Sequence, residues 1–83
     1  MNSAKIDKLV RMANQIGDFF DPMGDDAATR GVATHLERFW TPKMIGEIVG
    51  YLESGQSGLH AATARAVAEL ERDAKGAAAP AQS

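Results

Sequence analysis

The sequence contains no cysteine, and that absence removes disulfides, thiolate metal sites, iron–sulfur ligation and cysteine nucleophiles together. It also fits a reducing compartment. No apolar run is long enough to cross a bilayer, and the opening Met1-Asn2-Ser3-Ala4-Lys5-Ile6-Asp7-Lys8 has no apolar signal core. The expectation is a soluble, cytoplasmic protein without a membrane partner. An excess of positive charge is missing too. Nine Lys and Arg against eleven Asp and Glu leave a formal charge of −2, so no long-range field draws the chain to nucleic acid. The densest basic group, Lys5, Lys8 and Arg11, has Asp7 among it and reads as the solvated flank of a helix.

What is present is a helical period. Ile6, Leu9, Val10, Ala13, Ile16, Gly17 and Phe20 recur at three- and four-residue steps, which predicts a helix from about Ala4 to Phe20. Asp21-Pro22-Met23-Gly24 stops it, because proline cannot continue the hydrogen-bond ladder and glycine tolerates unusual dihedrals. Asp25 or Asp26 can cap a second helix and complement its dipole, with Ala28, Val32, Leu36, Phe39 and Trp40 on its apolar face. Gly31 inside this pattern costs about 1 kcal/mol relative to alanine, so packing must outweigh weak local propensity.

Phe39-Trp40-Thr41-Pro42-Lys43-Met44 sets the only tryptophan beside a helix restart. Thr41 can cap, and Pro42 suits the first helical position, where a missing N–H costs nothing. The third helix then buries Ile45, Ile48, Val49 and Leu52 and ends near Ser54-Gly55. Gly46 and Gly50 fall toward its polar side and leave bare backbone. Beyond the linker Gln56-Ser57-Gly58, a last helix carries Ala62, Ala66, Val67 and Leu70, a thin face expected to bury little area.

The fold class is therefore all-α: a small, compact bundle of about four helices in one domain over residues 1–75, with a flexible Ala/Pro tail over 76–83. A core this small gains from a partner's support.

Chemistry-bearing motifs are sparse. Asp26 as the first position of a calcium loop puts Gly31 sixth and Glu37 twelfth, but Ala28 and Arg30 then occupy positions three and five, where oxygen ligands belong. His35 and His60 are the only imidazoles, and nothing in the sequence assembles further zinc ligands around them. Neither a nucleophile elbow nor a P-loop surrounds the serines and glycines of residues 54–58. No catalytic, cofactor-binding or metal-ligating residue is expected. Large apolar groups are the remaining signal: Phe19-Phe20 and Phe39-Trp40 close the first two helices, and Met12, Met23 and Met44 add adaptable volume. Together they exceed what four short helices easily hide, and such groups frequently anchor interfaces.

Two blocks carry a family resemblance. Lys8-Leu9-Val10-Arg11-Met12-Ala13-Asn14-Gln15-Ile16 followed by Phe19-Phe20, and then His35-Leu36-Glu37-Arg38-Phe39-Trp40-Thr41-Pro42-Lys43-Met44, resemble the delta subunit of NAD-dependent, molybdenum-containing formate dehydrogenases. Gly58-Leu59, Ala66-Val67 and Leu70 fit the end of that pattern. Lys43 stands where the family pattern suggests arginine, and Ile45-Gly46 replaces a more basic continuation.

The resemblance implies a non-catalytic accessory subunit that binds no cofactor of its own. Its alpha, beta and gamma partners would carry a bis-molybdopterin guanine dinucleotide centre, iron–sulfur clusters and FMN, and pass electrons from formate to NAD. The expected contact with the alpha subunit runs through Met12, Asn14 and Gln15 on the first helix and through Phe39, Trp40, Pro42, Lys43 and Met44 at the corner. Two alternatives share that surface: a maturation factor assisting molybdenum cofactor insertion, and an unrelated helical homodimeric regulator.

Overall fold

A computed structural model describes residues 3–78, with side chains from Lys5 to Asp73. Four helices follow one another: α1 Ser3–Phe20, α2 Asp25–Phe39, α3 Pro42–Glu53 and α4 Ala61–Ala78. No strand occurs among the described residues. The expected start of the tail at Gly76 falls inside α4, and the rest of it, 79–83, lies outside the described residues.

Each junction follows from local chemistry. After α1, Asp21–Met23 makes a single 3-10 turn, and Gly24 at φ 97° reverses the chain into α2, a dihedral that glycine adopts without steric cost. Gly24 is also the residue before the first helical turn, and its carbonyl accepts from Ala28 N at 2.8 Å. Asp25 and Asp26 therefore sit inside the first turn and make no side-chain cap. Their contribution is to the helix dipole, which favours negative charge at that end. Thr41 does cap: its Oγ1 accepts from Met44 N at 3.1 Å, with Pro42 in the first turn. Gly55, at φ 87°, closes α3 in the left-handed region.

The core takes Leu9 and Ala13 from α1, Val32 and Leu36 from α2, Trp40 from the corner, Ile48 from α3, and Ala66, Val67 and Leu70 from α4. The face of α4, expected to be marginal, is central. Ala62, Thr63, Ala66, Val67 and Leu70 are all buried, and α4 with α2 forms the most extensive helix pair. Its small side chains bring backbones close, so a thin face packs along its length.

Two glycines record that closeness. A Cβ on Gly17 would collide with Thr63 Oγ1, itself bonded to the Ala13 carbonyl at 3.3 Å. A Cβ on Gly31 would meet the Phe20 ring at 2.6–2.9 Å. Gly31 thus trades helix propensity for a seat that holds an aromatic ring.

The connection from α3 to α4 is tied back to α1. Asn14 Nδ2 donates to the Gly58 carbonyl at 2.9 Å, and Asn14 Oδ1 accepts from His60 N at 2.8 Å. Gly58 N donates to the Tyr51 hydroxyl at 3.1 Å, and the His60 ring meets Asp18 at 2.8 Å. This loop carries backbone groups that helices cannot pair, and one asparagine satisfies two of them.

Candidate docking surface

α1 and α2 are joined by a short turn, and their outer sides present one aromatic face. Phe19 is 71% exposed and Phe39 70%, with Met23 at 57%. Large apolar side chains this open contribute little to the core, and exposed apolar groups of this size make the surface a candidate for contact. Phe19 meets Phe20 edge to face at 5.1 Å between centroids, and the His35 and Phe39 rings lie tilted at 4.8 Å. The exposed rings are therefore held by neighbours, which limits the side-chain entropy lost when a partner covers them.

Phe20 and His35 form a ridge between two shallow hollows. One, of about 520 Å3, has Met12, Gln15, Ile16, Phe19 and Trp40 around it. The other, of about 490 Å3, is lined by Gly31, Thr34 and Phe39 with Arg30 and Arg38 at its edge. A different apolar hollow opens on the far side of the corner, where Pro42, Ile45, Val49 and Leu70 meet Glu37, Glu53 and Glu71.

The family model for the NADH-dependent formate dehydrogenase delta subunit, FdsD, matches residues 8–67. The chain belongs to that family. Both sequence blocks that suggested it, and most of the aromatic face, fall inside the match. Neither the curated proteins nor the solved structures include a match to this chain.

The eight residues expected at the partner contact do not share one surface in this delta-family chain. Met12 and Gln15 border the first hollow and Phe39 borders the second. Trp40 is 7% exposed and belongs to the core, reaching both the first hollow and the far one by its edge. Pro42 faces the far hollow. Lys43 lies on another side with Lys5 and Glu47, which are 3.7 Å apart, and Met44 packs half-buried against the core. Asn14 is committed to the loop before α4.

Phe39, read from periodicity as part of the buried face of α2, points outward instead. Leu36 and Phe39, three residues apart, differ by only about 60° around the helix, so phase alone does not turn Phe39 out; it is the last residue of α2 and is exposed there, while Leu36 one turn earlier is buried. Trp40 reaches the core only because it leaves the helix in an extended conformation, at φ −96° and ψ 146°.

The contact set expected from the sequence does not include His35, Arg30 and Arg38, which line the hollows beside the exposed phenylalanines. The signal for them is the spacing: 31, 35 and 39 form one row of α2, and 30, 34 and 38 the next. Among the described residues, no group of three or more His, Cys, Asp and Glu is placed to hold a metal ion, and no helix is long and apolar enough to cross a membrane.

Proposed function

We propose that this chain is an accessory subunit that docks on the catalytic alpha subunit of its formate dehydrogenase and stabilises it, using the aromatic face of α1 and α2. Met12, Gln15, Phe19, His35 and Phe39 make the contact, while Trp40 shapes it from beneath. The reaction proceeds on the larger subunits, which carry the bis-molybdopterin guanine dinucleotide, iron–sulfur and FMN centres. The observation that supports this reading is the pair of exposed phenylalanines on a chain of a dehydrogenase-subunit family. Covering one phenylalanine side chain contributes about 1.5–3 kcal/mol, so the two supply a hot spot of ordinary strength.

The test is Phe19→Ala with Phe39→Ala in a tagged chain expressed in its native cells. Both side chains are already mostly in water, so helicity and melting stay near native, while recovery of the alpha subunit falls by at least about tenfold, the equivalent of 1.4 kcal/mol. Full recovery of an active complex with the double variant would refute the assignment of this face. Binding that is retained only to catalytic subunit lacking its molybdenum cofactor would identify a maturation factor instead.

A further inference from the structure

The aromatic face has a sign of charge. The chain carries eleven Asp and Glu and a net charge of −2, yet no acidic residue lines either hollow beside the Phe20–His35 ridge. The ionised groups there are Arg30 and Arg38, both exposed. They lie eight residues apart on one row of α2, about 12 Å along its axis at 1.5 Å per residue. Arg30 also borders a polar hollow with Asp25 and Asp26, but Arg65 is the residue that engages there, with Thr29 Oγ1 at 2.9 Å and Asp25 at 3.6 Å. Neither Arg30 nor Arg38 makes an ion pair among the described residues. Three of the eleven acidic side chains, Glu37, Glu53 and Glu71, line the hollow beyond the corner. Acid is thus absent from the lining of these two hollows, while Asp25, Asp26 and Glu69 line the adjacent polar hollow that Arg30 also borders.

From this acid-free lining and the two arginines beside it we infer that the hollows of α1 and α2 receive an acidic segment of the alpha subunit, apolar on the side it presents to Phe20 and Phe39 and carrying carboxylates about two helical turns apart for Arg30 and Arg38. The inference rests on the docking reading above and specifies the chemistry of what docks. Arginine suits the role, because its planar fork pairs with a carboxylate in two-point geometry and is weakly hydrated. Aromatic anchors supply buried area, and rim charges select the partner and its register. Two arginines spaced by two turns on a net-negative chain are poorly matched to nucleic acid, whose binding draws on many phosphate contacts.

The experiment captures the complex assembled in native cells on a tagged chain and washes it through a salt series, reading the ratio of alpha subunit to tagged chain at each step. The variants are Arg30→Glu with Arg38→Glu, and Lys43→Glu with Arg72→Glu, a control with the same change in net charge placed off this face. The native chain should lose at least about tenfold in retained partner between about 50 and about 300 mM salt, as exposed charge pairs are screened. The Arg30/Arg38 variant should lose that much already at low salt and respond little to further salt, with the control within about twofold of native at each step.

Native-like retention by the Arg30/Arg38 variant, or equal loss by the control, overturns the inference. If the phenylalanine double variant still releases the partner in that case, the docking reading stands without it; if that variant too binds normally, both fail. Displacement of the alpha subunit by a single-stranded oligonucleotide, in place of an acidic peptide, would likewise overturn it.

Discussion

Gly17→Ala is the sharpest probe of how the bundle is held, because two known effects oppose each other there. Alanine in a helix interior gains up to about 1 kcal/mol over glycine. Against that, the new Cβ would occupy the position of Thr63 Oγ1, and its next neighbours are Thr63 Cβ at 3.3 Å and Thr63 N at 3.5 Å. Thr63 is fully buried and bonded to Ala13, so any retreat of its hydroxyl takes place in packed surroundings and gives up that bond. Forcing an extra methyl into a packed contact costs about 1–3 kcal/mol, and losing the hydroxyl's bond adds about 0.5–1.5 kcal/mol. The strain wins by roughly 0.5–3.5 kcal/mol, combining those terms. For a domain of this size that lowers Tm by about 4–8 °C per kcal/mol. Gly46→Ala is the control, since a Cβ at Gly46 meets nothing within 4 Å; there only propensity acts, and Tm should rise by up to about 4–8 °C. Thermal melting followed by circular dichroism reads both, and Thr63→Ala in the Gly17→Ala background should recover part of the loss as a coupling energy. A Gly17→Ala protein that melts at or above native would refute the close α1–α4 crossing.

Two further perturbations test the local devices. Thr41→Ala removes the oxygen that accepts from Met44 N and should cost about 1 kcal/mol in chemical denaturation, while Thr41→Ser keeps most of it. Asn14→Ala frees the Gly58 carbonyl and the His60 amide together, and should cost about 1–2 kcal/mol for two bonds with faster hydrogen exchange confined to residues 56–61; unchanged exchange there would mean that the loop is held without Asn14.

The end of α1 and both ends of α3 were legible because each carries its own chemistry: Pro22 and Gly24 after α1, Thr41 and Pro42 before α3, Gly55 after it. Gly31 was recognised as a position where packing outweighs propensity, but its occupant, the Phe20 ring, belongs to another helix and leaves no mark in the local pattern. The same holds for Asn14, whose partners lie 44 and 46 residues onward, so it read as a contact residue for the alpha subunit. Phe39 and Trp40 look equivalent in sequence and are not. Helical phase stops applying at a residue that leaves the helix, and here that residue carries the larger ring inward. Exposed Phe19, Met23 and Phe39 were foreshadowed by the count of large apolar groups. The acid-free lining of the two hollows draws on both α1 and α2, and periodicity along one helix does not contain it.

The central claim is that this delta-family chain works as a resident subunit of a formate dehydrogenase. The most direct measurement is purification of the tagged chain from its native cells, size exclusion, quantification of each subunit, and formate-dependent NAD reduction across the fractions. The account predicts one copy of this chain per alpha subunit wherever activity elutes. Elution of the chain alone as a monomer or dimer, or only with inactive, cofactor-poor alpha subunit, would contradict it.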